Sequence, residues 1–361
     1  MKNSKLYLTI ILVSLVVFSC KVDEPIKDQS VVFPETFRVD IPPSISSLEA
    51  GSLSGRVEGD GDGIIEGNEI YQSLRYFIAV GEKSAEILEF VLVVGRTLEQ
   101  LNLSTYSFTS DDDGREKRID INHDVNKGGV NYQYEMLMYD VLDNNLGLQL
   151  LWNTNPVSGI AILKPYNIDR IKNIDATTAI IQIEYSEESV DYDATMVVSI
   201  AGLLPVNNGD IDNMKMFAGK KGNIVDVRGN SNHPNVIIID PTFTGGRNYA
   251  FVGRGDDVNN IGVVNLALPP SSVTTNDIFV DYNLYNVLQG EINTVANLDQ
   301  LIIDAILIEA HSPAYFNNTV GFITSGVGNA PTGFSNEFID LSGLSTYVPN
   351  DIKNLSIDFL N

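Results

Sequence analysis

Three histidines and one cysteine stand among 361 residues, against 47 acids. His123 falls in an alternating run on the apolar side with Ile119, Ile121 and Val125, which predicts a hydrogen-bonded core imidazole. His233 precedes Pro234 in an expected loop, and His311 follows an expected helix. No His-Glu-x-x-His pair gives zinc spacing, and no Gly-x-Ser-x-Gly places a nucleophile on a strained turn. Gly219-Lys220-Lys221-Gly222 lacks the frame of a phosphate loop, and no dinucleotide fingerprint occurs. Arg254-Gly255-Asp256 and Ser110-Asp111-Asp112-Asp113-Gly114 read as turns between strands. Carboxylate pairs could hydrolyse glycans, but spacing along the chain does not single one out. The sequence assigns a catalytic role to no residue.

The sharpest local pattern is acidic. Glu58-Gly59-Asp60-Gly61-Asp62-Gly63-Ile64-Ile65-Glu66-Gly67-Asn68-Glu69 precedes a helical run. It resembles the calcium loop of EF-hand and dockerin proteins, which sets oxygens at alternate positions around an invariant glycine. The resemblance implies side-chain ligation by Glu58, Asp60 and Asp62, and carbonyl ligation by Ile64. It implies further that Glu66 ligates directly or through water, that Glu69 closes the site in bidentate fashion, and that Ile65 points inward. Position one is Glu rather than the shorter Asp, and the segment before it, rich in Ser and Gly, does not read as a helix. The plainer reading is an acidic turn entering a helix, with Glu66 and Glu69 favoured by the helix dipole.

Cys20 is the only cysteine, so no intrachain disulfide can form. Lys2 and Lys5 precede an uncharged run from Leu6 to Phe18. That run is too short for a bilayer core, which takes about 20 helical residues. It reads as a cleaved export signal. Val17-Phe18-Ser19-Cys20 resembles the lipobox of bacterial lipoproteins. The resemblance implies a signal peptide at 1–19, a palmitate-type lipid on Cys20 and a tether at 20–34. Lys21 rather than Asp after the cysteine implies outer-membrane retention, and Lys21 followed by Asp23-Glu24 resembles the surface-export signal of Bacteroidota lipoproteins. The formal charge of −24 disfavours nucleic acid and anionic headgroups alike. Membrane contact is therefore expected through the lipid.

The elements that would position these groups form an α+β domain over 35–361. Phe33 to Ile45 reads as a first strand or extended segment. Ile70, Leu74, Phe77, Gly81, Ala85, Leu88 and Leu92 recur at helical spacing. Apolar residues on the other faces predict a long helix, apolar nearly all round and buried on several sides, with Gly81 or Ser84 as a dividing point. From Arg118 the period becomes two, through 118–125, 130–138, 146–152, 160–162, 181–185 and 192–200. That is the pattern of an antiparallel meander with one buried face. Further strands are expected at 214–218, 223–227, 236–239, 249–253, 262–268 and 278–284, a helix at 290–309, and a terminal strand at 354–360. The loop at 205–213 is the one candidate lobe boundary.

The expected fold is thus a large curved antiparallel sheet, half-barrel-like, packed on a long apolar helix; two stacked lobes are the alternative. Three functions remain open. The first is a non-catalytic envelope lipoprotein that holds a hydrophobic small molecule in a cavity under the helix, or serves another envelope protein as an accessory subunit. The second is a calcium-stabilised adhesion or structural surface protein. The third is a surface glycan hydrolase.

Overall fold

The computed structural model describes residues 36–47, 65, 67–100, 104–205 and 210–361. Cys20, Glu58, Asp60, Asp62, Ile64 and Glu66 lie outside the described residues, as does the side chain of Glu69. Thirteen strands form one sheet in which every strand pairs with its neighbours in sequence. They are β1 (Thr105–Thr109), β2 (Glu116–Lys127), β3 (Val130–Asp140), β4 (Asn145–Thr154), β5 (Val157–Leu163), β6 (Ile180–Ser186) and β7 (Ala194–Ala201). The second half adds β8 (Asn213–Lys221), β9 (Ile224–His233), β10 (Arg247–Asp256), β11 (Ile261–Ala267), β12 (Ala314–Asn317) and β13 (Gly321–Ser325). All pairs are antiparallel, and β1 and β13 do not pair, so the sheet is open. β7 pairs with β8 across the 205–213 loop, so both halves of the chain share the sheet. The helices are α1 (Gly67–Gln100), α2 (Pro165–Ile168), α3 (Leu284–Val295), α4 (Gln300–Ile306), α5 (Asn336–Ile339) and α6 (Pro349–Lys353).

The alternation of the sequence builds the two faces. One row of the inner face runs through Ile121, Met136, Leu150, Ala161, Ile183, Val198, Met216, Gly229, Phe251 and Leu266, each opposite the next. All but the glycine belong to one buried apolar cluster. Gly229 is required there, because a Cβ would come within 2.4 Å of the Phe251 ring.

Helix α1 lies on this face. Tyr71, Leu74, Phe77, Ile78 and Ala85 are buried, and Gly81 sits so close that a Cβ would meet the Met216 methyl. The Phe77 ring packs on His233 and Tyr249. The helix starts under a cap from far along the chain: the Gly67 N–H donates to Glu309 Oε2 at 3.0 Å, a carboxylate at the positive end of the dipole. It runs unbroken through Gly81 and Ser84 for 34 residues. The expectation of an all-round apolar helix is corrected. α1 contains Glu69, Arg75, Glu82, Lys83, Glu86, Glu89, Arg96 and Glu99. No helix among the described residues is long and apolar enough to cross a membrane. Its buried charges are partnered: Arg75 donates to the Pro43 carbonyl at 2.7 Å, and Glu82 accepts from Ile41 N–H and the Ser46 hydroxyl. These contacts hold the 36–47 segment beside the helix, extended and then turning at Pro42 rather than pairing as a strand.

The C-terminal segment crosses the opposite, outer face. Arg254 donates to the carbonyls of Glu337 and Asp340, Asn230 to Tyr347 O, Asn248 to Pro349 O, and Asn213 to Lys353 O. Gln149 closes the series, donating to Leu360 O and accepting from Leu360 N–H. The expected terminal strand at 354–360 is therefore an extended strap, bonded to side chains of the sheet rather than to its backbone. The expected strands at 236–239 and 278–284 are loops. At the first, Ile239 N–H and Asp240 N–H donate to Glu291 instead of to a ladder. The expected 290–309 helix is two, because Asp299 caps a fresh helix through Leu301 N–H.

Candidate functional site

Each histidine has a different fate from the one its neighbours in sequence suggest. His123 is exposed near the β2–β3 hairpin tip, its ring edge-on to Tyr134. The strand outruns the buried part of the sheet there, so alternation persists without burial. His233 ends β9 rather than lying in a loop, and it is fully buried. Its Nε2 lies 2.8 Å from Ser231 Oγ, the spacing of a nucleophile and its base. Both groups are sealed between the sheet and Phe77, so no substrate reaches them. Arg254-Gly255-Asp256 lies at the end of β10 rather than in a free turn, with Arg254 paired to Asp226.

The most perturbed carboxylate is structural. Lys117 reaches both Asp113 Oδ2 (2.9 Å) and Asp140 Oδ2 (3.0 Å), and Arg115 adds a hydrogen bond to Asp140 Oδ1 at 2.7 Å. Burial would raise the Asp140 pKa, yet the Arg115 and Lys117 hydrogen bonds carry it far below the ordinary carboxylate range. The Lys117 side chain is 2 % exposed, so this network joins β2, β3 and α2 rather than facing a substrate. The Ser110–Gly114 acids expected as a plain hairpin approach feed into it through Asp113.

His311 belongs to an open cleft of about 310 Å³. The cleft arises because β11 outruns β12. Their ladder covers Ile261 to Val264 and stops. Beyond it, Leu266 N–H donates to Ser312 Oγ at 3.5 Å, and the Ser312–Pro313 peptide is cis. The 279–286 segment closes the other side. Asn283 caps α3 by accepting from Asn286 N–H at 2.9 Å, and both asparagine amides donate to Val280 O. Phe279 and Pro313 add apolar surface.

At the exposed side of the cleft, Tyr285 donates to Asp304, and Gln300 donates to both. These bonds hold the Asp304 pKa below its ordinary value and raise that of Tyr285. The Tyr285 ring stacks on His311 with centroids 4.4 Å apart. Burial lowers the His311 pKa, opposed by the Asp304 charge. Asn265 Oδ1 is buried in the lining without a hydrogen-bond donor. The cleft thus presents amides, a hydroxyl, an imidazole and ring surface, and no Asp, Glu, Lys or Arg.

Only His311 of this site was singled out by the sequence. Asn265, Phe279, Asn283, Tyr285, Asn286 and Ser312 carry no spacing signal, since they meet only through the β11 overrun. Among the described residues no group of three or more His, Cys, Asp and Glu is placed to hold a metal ion. The chain matches no protein-family model, no curated protein and no solved structure.

Proposed function

We propose that this chain is a lipid-anchored, non-catalytic binding lipoprotein of the outer membrane whose ligand is a small, uncharged polar molecule held in the 265–313 cleft. The observation that carries the reading is the uncharged polar lining in a chain of net charge −24. A cleft of this size lies at the small end, near about 300 Å³, of small-molecule sites. The Asn265 oxygen favours a ligand that donates, because a buried acceptor without a donor costs about 1–3 kcal/mol. The sheet is read as a half-barrel bent around α1, but a hydrophobic ligand beneath that helix is the weaker reading. There Met214 and Met216 already crowd Gly81. Glycan hydrolysis needs two carboxylates across the substrate. The acid bonded to the lining, Asp304, stands alone and is engaged by Tyr285 and Gln300.

Mass spectrometry of small molecules released from the full chain, purified from its envelope, tests the reading. An uncharged polar ligand is the expected result. A co-purifying acyl chain, or a cleft indifferent to every uncharged solute offered, would overturn it.

A second reading concerns calcium. Ile65, the apolar residue that the loop resemblance turns inward, is buried, and its N–H donates to Ile306 O at 2.8 Å. Calcium on Glu58, Asp60, Asp62, Ile64, Glu66 and Glu69 would then stiffen the entry to α1 beside α4, in the manner of a calcium-stabilised adhesion protein. The melting temperature should rise with millimolar calcium and fall with chelator; equal values dismiss the ion.

A further inference from the structure

We propose that the ligand of the 265–313 cleft is a neutral saccharide, one or two pyranose rings in extent. The inference rests on the binding role assigned to that cleft and names the chemical class it takes.

Side-chain amides offer a donor and an acceptor on one group, and a hydroxyl is likewise both. A ring that carries several hydroxyls is therefore the natural complement of a site built on Asn265, Asn283 and Asn286. Each of Asn283 and Asn286 donates one amide hydrogen to Val280 O, and Asn283 Oδ1 also accepts from Asn286 N–H, which holds both amides in one orientation. Asn265 Oδ1 supplies the buried acceptor. Sugars also present faces of C–H groups, and Phe279, with the Tyr285–His311 stack, supplies ring surface for them. Charged ligands find no counter-charge among the lining residues. A purely apolar ligand would cover the exposed Asn286 amide without giving it a new partner. A flat heterocycle fits less well, because the two stacked rings cover each other instead of standing apart as jaws.

The test is titration of the full chain in detergent with glucose, galactose, mannose and N-acetylglucosamine and their disaccharides, read by calorimetry and by saturation transfer to sugar C–H protons. Uridine and glycinamide serve as uncharged comparison ligands. At least one sugar should saturate at millimolar concentration or below. Asn265→Leu should weaken it about tenfold or more, the loss expected for one buried hydrogen bond. Phe279→Ala should lower the C–H transfer signal. Asn265→Leu should keep the wild-type melting temperature; if it does not, Asn286→Ala at the exposed rim replaces it. Phe279 also packs against two buried clusters, so its variant is read at a temperature where it remains folded. No saturable sugar, or sugar binding that ignores these substitutions, overturns the proposal. Binding of uridine or glycinamide without any sugar overturns the saccharide class while leaving the binding role intact, and silence from all of them removes both.

Discussion

At the residue scale, the strongest individual constraints are closed ones. Lys117 is the shared cation of Asp113 and Asp140, and all three are removed from water. Replacing one partner of such a group leaves the others buried with less counter-charge, which costs about 3–5 kcal/mol. Lys117→Met should lower the unfolding free energy by that amount, read as a lower urea midpoint with little change in slope. The pH dependence follows from the direction of the Asp140 shift. Its folded pKa lies below the ordinary 3.8, so its contribution is complete above that value and is lost as the pH falls through it. Asp140→Asn should therefore flatten the acid limb of the stability profile; an unchanged limb would mean that another carboxylate governs acid unfolding. Gly159 makes a sharper steric prediction. A Cβ there would stand 2.4 Å from the Leu151 carbonyl oxygen and 2.6 Å from the Phe37 ring. Gly159→Ala should cost about 1–3 kcal/mol by overpacking. Gly290→Ala in α3 meets nothing and should gain about 0.5–1 kcal/mol, so paired melting curves separate space from helix propensity.

At the scale of elements, the strap on the outer face is the part most open to test. Ile357 is buried with Ile162 and Ala201, and Leu355, Phe359 and Leu360 pack around them. Deleting residues 354–361 should cost at least about 1.5–3 kcal/mol, the value of Ile357 burial alone, and uncover an apolar patch on β5 and β7. Chemical unfolding and a hydrophobic dye report the two effects; a truncated chain as stable as the whole would show the strap to be ornament. Long strands such as β2, β3 and β4 were legible because a stretch of each is buried on one face and the period of two runs on along the strand. Short β1, β12 and β13 were not, since four or five residues carry too little period to stand out. The strap alternates like a strand because one side is buried, although it pairs with no backbone ladder. Helix α1 was legible in position, while its apolarity was overstated: Arg75 and Glu82 are buried by virtue of partners at Pro43, Ile41 and Ser46 that no local pattern announces. The cleft was the least legible feature of all. It depends on where β12 stops pairing, and ladder length is set by tertiary packing rather than by the residues that line the gap.

At the scale of the whole molecule, the proposed lipoprotein reading turns on what would hold the chain to a membrane. The described helices offer no apolar span. A sheet that crosses a bilayer must close to satisfy its edges, whereas the order here ends at unpaired β1 and β13. The net charge of −24 disfavours adsorption to anionic headgroups. The proposed lipoprotein reading therefore puts attachment on the Cys20 lipid. The expected outcome is specific: wild-type chain enters the detergent phase of a two-phase partition and takes up labelled palmitate. Cys20→Ala should do neither, while remaining folded with an unchanged melting temperature. Because the proposed anchor is acyl and not electrostatic, membrane retention of the wild type should be indifferent to salt between low and molar concentrations. Retention of Cys20→Ala would point instead to exposed apolar side chains such as Leu301 and Ile302 on α4 as a membrane or partner contact. Release of the wild type by salt would show that charge carries the attachment despite the sign of the molecule.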